Sequence, residues 1–103
     1  MRAKGVQLSE QTLKVLAAIA SKLGDEASGA EIGRQAQLRS GTLYPILFRL
    51  ERSGWLESRW EEESPEELGR PRRRFYRFTA HGARRARSAF GEVRKMIGGL
   101  AWE

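Results

Sequence analysis

The stretch that most constrains the fold is Gly41–Glu51, with the sequence GTLYPILFRLE. Its apolar residues recur at the spacing of one helical face, and they are Leu43, Ile46, Leu47 and Leu50. The opposite side carries Gly41, Pro45, Arg49 and Arg52. The pattern predicts a short helix with one buried face and one exposed, partly basic face. This combination of faces is typical of a recognition helix that enters a nucleic-acid groove.

A second informative stretch is Gly69–Gly82, GRPRRRFYRFTAHG, which is rich in arginine. It contains the alternating segment Arg72–Thr79, and the segment Trp55–Trp60 alternates in the same way. Alternation of side chains is typical of β-strands, so the two segments predict a hairpin. The segment between them contains glutamates and proline and is predicted to be the hairpin loop.

Capping signals place three helices before the hairpin. Ser9 is predicted to cap a first helix that spans about Glu10–Leu23. Ser28 and Glu31 have the capping-box spacing that begins a short second helix. Ser40 is predicted to cap the third, which is the recognition helix.

A final helix is predicted after Thr79, whose hydroxyl can cap it. The apolar residues of this helix are alternately three and four positions apart, which is typical of the seam where two helices meet. The stripe consists of Ala83, Ala86, Phe90, Val93, Ile97 and Leu100. Burying each larger residue of the stripe would contribute about 1.5–3 kcal/mol. We expect this helix to form the interface of a homodimer, and packing within one chain alone is the alternative.

The order helix, helix, helix, hairpin, helix resembles the winged-helix domain of the PadR-like transcriptional regulators. The likeness depends on the GTLYP-type helix that leads through Gly54 and Trp55 into a two-stranded wing, and it spans about Leu8–Arg87. It implies an α+β fold that is mostly α, a winged helix-turn-helix of three helices and a two-stranded wing with a C-terminal dimerisation helix. Residues 1–80 would form the DNA-binding domain and residues 81–103 the dimerisation helix, within a single compact domain.

The charge balance favours a polyanionic partner. The chain of 103 residues carries 19 lysines and arginines against 13 aspartates and glutamates, a formal net charge of +6. DNA, RNA and an anionic membrane would all attract such a chain. The sequence has no apolar run of membrane-spanning length. The family resemblance implies that the partner is duplex DNA and not a membrane. The expected location is the cytoplasm of a prokaryote.

Catalysis is poorly supported, because the chain has no cysteine and a single histidine, His81. Thiolate metal sites and disulfides are therefore excluded, and a nucleophile–base pair would have to rely on carboxylates. The sequence predicts no enzymatic activity, no bound metal and no cofactor. His81 is expected to be a first-turn residue of the last helix.

Residues able to reach bases or phosphates occur on the recognition helix and near the start of the second strand. They are Arg39, Ser40, Thr42, Tyr44 and Arg49 on the helix, and Arg70, Arg72, Arg73 and Arg74 on the hairpin. Phe48, on the flank of the exposed face, could touch a thymine methyl group. Two other interpretations stay open: Tyr44 and Phe48 could pack on each other or on the wing, and the arginines could form a solvated basic face.

Acidic residues precede these arginines at the wing tip, and they are Glu61, Glu62, Glu63, Glu66 and Glu67. Because DNA phosphates would repel them, we expect the loop to bend into solvent, away from DNA. A second hypothesis is that the glutamates pair with the arginines in the free protein and compete with DNA. Metal binding is a third alternative, which the flexible geometry of a loop disfavours.

These features predict a sequence-specific transcriptional regulator, a repressor that binds a pseudo-palindromic operator as a homodimer. The family resemblance also implies a small-molecule effector, commonly an aromatic or cationic compound, and Trp102 could line its pocket. Two other functions are compatible with the sequence: a winged-helix protein-interaction module and a nonspecific architectural DNA binder. Binding to duplex DNA that depends steeply on salt would argue against the first, and strong preference for one sequence would argue against the second.

Overall fold

The computed structural model describes the backbone of residues 2–3, 6–22 and 26–101, and the side chains of residues 6–22 and 26–96. The helices in these ranges are α1 (Glu10–Ala20), α2 (Gly29–Ala36), α3 (Ser40–Arg52), α4 (Pro65–Leu68) and α5 (Ala80–Ala101). The strands are β1 (Arg2–Ala3), β2 (Val6–Gln7), β3 (Ala27–Ser28), β4 (Leu56–Trp60) and β5 (Arg74–Phe78). Strand β1 pairs with β2, and a second antiparallel sheet has the order β3-β5-β4.

This order confirms the predicted α+β, mostly α, winged helix-turn-helix with a long C-terminal helix. The wing is the β4–β5 hairpin with its connection, residues 56–78. Three elements have bounds that differ from the prediction. The segment predicted as a strand over Arg72–Thr79 is a strand only over Arg74–Phe78. Strand β4 begins at Leu56 because the amide of Trp55 donates to the Leu50 carbonyl at 2.9 Å and so closes the end of α3. Helix α1 ends at Ala20, and the predicted end at Leu23 lies outside the described residues.

The predicted caps of the first two helices are confirmed. The Ser9 hydroxyl accepts from the Thr12 amide at 3.1 Å. The Ser28 hydroxyl accepts from the Glu31 amide at 3.1 Å, and the Glu31 carboxylate accepts from the Ser28 amide at 2.8 Å. This bond from the Ser28 backbone is the main reason that the pKa of Glu31 is lowered.

The predicted cap of the third helix is wrong. Ser40 is the first residue of α3, and the N-cap is Arg39, which has extended backbone and makes no side-chain cap bond. The Arg39 carbonyl already accepts from the amides of Thr42 and Leu43, at 3.0 Å and 2.9 Å. That carbonyl therefore starts the helical hydrogen bonds, one residue earlier than the serine suggested.

The core lies between α1, α2, α3 and the inner face of the sheet. Its largest fully buried side chains are Trp55, Leu16, Ile19, Ile32, Leu43, Leu47, Leu50 and Val15. All four apolar residues of the predicted α3 stripe are buried, which confirms the amphipathic pattern. In β4 and β5 the register pairs Leu56 with Phe78 and Ser58 with Tyr76, so these residues share the inner face.

Helix α5 is fixed at its start by Thr79 and Gly82. The Thr79 hydroxyl accepts from the Gly82 amide at 2.9 Å and donates to the Gly54 carbonyl at 2.6 Å. These bonds confirm the predicted cap. Gly82 is buried, and a Cβ added there would collide with the carbonyl oxygen of Trp55. The first turn of α5 therefore lies directly on the backbone that joins α3 to the wing.

The predicted seam of α5 divides into two parts. Ala86 is buried in the chain's own core, and Phe90 packs against that core from a partly buried position. Farther along the helix, Val93 is half-buried and Met96 is 69% exposed. The side chains of Ile97 and Leu100 lie outside the described residues. Intrachain packing thus accounts for the first part of the stripe.

Candidate nucleic-acid interface

Helix α3 presents a polar face on the side opposite its buried stripe. Arg39, Ser40, Tyr44 and Arg49 are exposed, and Thr42 is half-buried. The structure therefore brings every candidate of the recognition helix to an accessible or partly accessible position. An α-helix with such a face fits the major groove, which is about 12 Å wide.

The two aromatic residues of this face make different contacts. Tyr44 lies against the start of α2, where a Cβ added to Gly29 would be 3.0 Å from ring atoms of Tyr44 and closer still to its hydroxyl. Phe48 is 60% exposed, and the guanidinium of Arg52 lies 5.7 Å from its ring centroid. Tyr44 thus packs on α2, whereas the exposed ring of Phe48 lies next to the positively charged guanidinium of Arg52.

Arg70 at the wing tip is paired with an acidic residue. Its guanidinium donates to both carboxylate oxygens of Glu61, at 2.7 Å and 2.9 Å. Glu61 also accepts from the Arg73 amide at 2.8 Å. The side-chain bonds from Arg70, followed by the Arg73 backbone bond, lower the pKa of Glu61 to about 2. Pairing between wing glutamates and arginines is therefore present for Glu61, while Glu62, Glu63, Glu66 and Glu67 are exposed.

The wing connection was predicted as a loop, but it contains the short helix α4. The Ser64 hydroxyl accepts from the Glu67 amide at 3.2 Å, and the Glu67 carboxylate accepts from the Ser64 amide at 2.9 Å. Pro65 occupies the first turn, and Gly69 ends the helix with a φ of 69°. The sequence did contain this signal, since the spacing of Ser64 and Glu67 is the same capping box that begins α2.

Arg74 is held by residues from three elements. Its Nε donates to the Ser58 hydroxyl at 2.9 Å, and its Nη2 lies 3.4 Å from Glu51 of α3. The guanidinium also lies 5.3 Å from the ring centroid of Trp60 and 5.9 Å from that of Tyr76. Trp60 is 55% exposed, and sequence reasoning had not singled it out. Arg74 therefore connects the wing to the recognition helix.

Arg72 and Arg73 are more accessible than Arg70 and Arg74. Both are exposed, and Arg72 donates through Nε to the Glu63 carbonyl at 2.8 Å. Within the described part of the chain, no side-chain partner is found for the Arg73 guanidinium. These two side chains are thus available to an external anion.

A cavity of about 350 Å³ lies where α2, α3 and the wing meet. Its lining consists of Ser28, Gly29, Ala30, Tyr44, Trp60, Arg72, Arg73, Arg74 and Tyr76. The lining contains three arginines and no carboxylate. An environment of this kind favours an anion such as a phosphate group.

A second cavity, of about 490 Å³, lies between α1, the end of β5 and the first half of α5. Its lining consists of Ile19, Ala20, Phe78, Thr79, Ala80, Ala83, Ala86, Arg87, Phe90 and Arg94. Trp102, the predicted pocket residue, lies outside the described residues, so it is not placed relative to this cavity.

The remaining sequence predictions concern metal ligands, His81 and membrane-spanning helices. Within the described ranges, no group of three or more His, Cys, Asp or Glu side chains is placed so that it could hold a metal ion. His81 is exposed in the first turn of α5. Over the same residues, none of the helices combines the length and the apolar character needed to cross a lipid bilayer.

Comparisons with known proteins agree with this geometry. A family model described as the transcriptional regulator PadR-like family matches residues 17–88. No curated protein matches the chain. Among solved structures, a PadR family transcriptional regulator from Eggerthella lenta DSM 2243 has 28% sequence identity and a TM-score of 0.66, with 86% of this chain and 78% of that chain covered.

Two further structures share the fold at lower identity. The PcaV transcriptional regulator from Streptomyces coelicolor, in complex with its natural ligand, has a TM-score of 0.74 at 21% identity, over 93% of this chain. The present chain spans 64% of the length of PcaV. A PadR family transcription regulator from Clostridium difficile R20291 has a TM-score of 0.70 at 20% identity, with 91% of this chain and 100% of that chain covered.

Proposed function

Because the chain belongs to the transcriptional regulator PadR-like family, we propose that it is a sequence-specific repressor that binds duplex DNA as a homodimer. DNA-binding regulation of transcription is the function of this family. The observation that carries the proposal is that Tyr44 of α3 and three consecutive wing arginines line the same cavity. A duplex that contacted α3 would therefore also meet a concentration of positive charge.

The proposed mode of binding follows from the exposed residues. Helix α3 would enter the major groove, where Thr42 and Arg49 face base edges and Phe48 could meet a thymine methyl group. Arg72 and Arg73 would contact the phosphate backbone beside the groove. Base contacts would specify the sequence, and phosphate contacts would set the position of the protein. Arg39, Ser40, Tyr44 and Arg70 are proposed as supporting contacts, and Arg74 is proposed to support the wing that carries Arg72 and Arg73.

A homodimer would be formed through α5. Beyond its contacts with the core, this helix still presents Val93 and the exposed Met96. The molecule measures 57 Å along its longest axis and about 25 Å in the others. Packing of two such helices about a two-fold axis would repeat α3 in two half-sites, so the operator should be pseudo-palindromic.

We include small-molecule control in the proposal. PcaV was solved with its natural ligand, and the cavity beside α5 has the size of a small-molecule site in this chain. Its lining combines the aromatic Phe78 and Phe90 with Arg87 and Arg94. An effector there would contact both the start of α5 and the end of the wing. The proposal assigns the protein to the prokaryotic cytoplasm and assigns it no enzymatic activity.

The decisive experiment is selection of binding sites from random duplex DNA, followed by affinity measurements at several salt concentrations. We expect an inverted repeat that binds at least about 1000-fold more tightly than unrelated duplex. Equal affinity for all duplexes would instead indicate an architectural binder. Absence of duplex binding would favour a protein-interaction module.

Base reading by α3 can be tested separately with Arg49→Ala. Loss of a bidentate base contact costs about 1–3 kcal/mol of discrimination at one position of the site. The selected motif should therefore lose its preference at that position in both half-sites. An unchanged motif with uniformly weaker binding would make Arg49 a phosphate contact.

A further inference from the structure

We propose that Arg74 is a positioning residue, and that the network of Glu51, Ser58 and Arg74, here called the wing bracket, fixes the wing against the recognition helix for DNA binding. This inference rests on the proposed DNA-binding function. It gives Arg74 a role different from that of its neighbours Arg72 and Arg73. It also gives a role to Glu51, an acidic residue on a helix that would face a polyanion.

The wing bracket joins three separate elements. Ser58 of β4 donates to one carboxylate oxygen of Glu51 in α3 at 2.7 Å and accepts from Nε of Arg74 in β5 at 2.9 Å. Nη2 of Arg74 approaches the other oxygen of Glu51 at 3.4 Å. The three residues thus close a ring of polar contacts between the last turns of α3 and the middle of the wing.

Aromatic rings restrict the guanidinium further. Trp60 is paired with Arg74 in the β4–β5 register, and Ser58 is paired with Tyr76, so all four share the inner face of the sheet. The Arg74 guanidinium lies within 6 Å of both ring centroids, at 5.3 Å from Trp60 and 5.9 Å from Tyr76. The planar guanidinium lies beside these rings while its Nε and Nη2 donate to two different residues, Ser58 and Glu51. The lysine ammonium lacks this planar fork of donors.

The neighbouring arginines are not held in this way. Arg72 and Arg73 are exposed, whereas the side chain of Arg74 is 38% exposed and is already bonded. All three line the same cavity. The geometry therefore separates two roles: Arg72 and Arg73 contact the phosphates, and Arg74 sets where the wing that carries them lies relative to α3.

Glu51→Gln is the diagnostic variant. Near DNA, removal of a negative charge should by itself tighten binding, because repulsion from phosphates is lost. If Glu51 instead acts through Arg74, the same change should weaken operator binding by about tenfold. The matched control is Glu57→Gln, since the Glu57 carboxylate is also paired with an arginine, Arg77 at 2.7 Å, but lies on the outer face of the sheet.

Variants of Arg74 complete the test. Arg74→Lys keeps the charge, so it should retain most of a phosphate contact but lose the wing bracket. We expect it to bind operator DNA about as weakly as Arg74→Gln. The double variant Glu51→Gln/Arg74→Gln should bind no more weakly than Arg74→Gln alone, because both changes break the same network. Thermal unfolding of each variant monitors folding, and Ser58→Ala is the milder variant if Arg74→Gln unfolds.

The outcomes separate the two proposals. Operator binding by Glu51→Gln that equals or exceeds wild type overturns the bracket, as does a lysine variant that binds like wild type. A salt slope that falls by about one in Arg74→Gln, with Glu51→Gln unaffected, would assign Arg74 to a phosphate. If the wild-type chain binds no duplex, the proposed function is wrong and the bracket has no role in DNA binding.

Discussion

Gly82 lies where the first turn of α5 crosses the backbone of Trp55. A Cβ at this position would collide with the Trp55 carbonyl oxygen, so the close approach requires glycine. The Thr79 hydroxyl bonds both to the Gly82 amide and to the Gly54 carbonyl. At the scale of single residues, Thr79 and Gly82 explain how α5 can begin directly after the wing.

We expect Gly82→Ala to destabilise the protein by about 1–3 kcal/mol, because the methyl group must displace backbone atoms. The control is Gly91→Ala, also in α5, where an added Cβ meets nothing within 4 Å. That change should stabilise the helix by up to about 1 kcal/mol, since alanine is the better helix former. Urea unfolding measures both, and equal effects of the two substitutions would contradict the close contact.

Glu61 should give the stability of the wing a specific pH dependence. Its pKa is about 2 in the folded protein against an ordinary value of 4.5, chiefly because Arg70 donates to its carboxylate. A lowered folded-state pKa contributes stability above the unfolded-state pKa, and that stability is lost as pH falls from about 4.5 towards 2. Across this pH range, the free energy of unfolding of Glu61→Gln should depend less on pH than that of the wild-type protein. An identical pH profile would mean that the Glu61–Arg70 pair does not form in solution.

At the scale of elements, the sequence predicted the long amphipathic segments and missed the short ones. Helix α3 and the two wing strands have periodic patterns, which follow directly from burial of one face. Strand β3 has only two residues, too few to show alternation, and α4 has four, within a charged segment. The wing bracket was not predictable, because Arg74 and Glu51 lie 23 positions apart and meet only in the folded hairpin.

The wing offers a test of competition between its own acidic residues and DNA. Arg70 is bound by Glu61, so Glu61→Gln should release a guanidinium for phosphate contact. We expect tighter binding to unrelated duplex DNA and a salt slope that is steeper by up to about one. The control is Glu62→Gln, an exposed neighbour that also removes one negative charge. If the salt slopes of Glu61→Gln and Glu62→Gln are equal, the effect comes from the lost negative charge alone and not from release of Arg70.

At the scale of the whole molecule, the remaining question is what covers the second half of α5. Phe90 packs against the chain's own core, whereas Val93 is half-buried and Met96 is exposed. The first part of the predicted seam therefore serves the chain's own core, and we propose that the second part meets a partner subunit. Because of this division, Phe90 is a poor choice for testing dimerisation, since its substitution would also disturb folding.

Val93→Glu tests the dimer without disturbing the core. A two-fold interface would bring the new carboxylate in twice, and burying an unpaired charge costs more than the lost contact. We expect a folded monomer that keeps weak, salt-sensitive DNA binding but loses most operator affinity, because two linked half-site contacts become independent. The control is Ser88→Glu, an exposed position on the other side of α5. Sedimentation at micromolar concentration decides: a monomeric wild type, or a Val93→Glu dimer as tight as wild type, would place the interface on another surface.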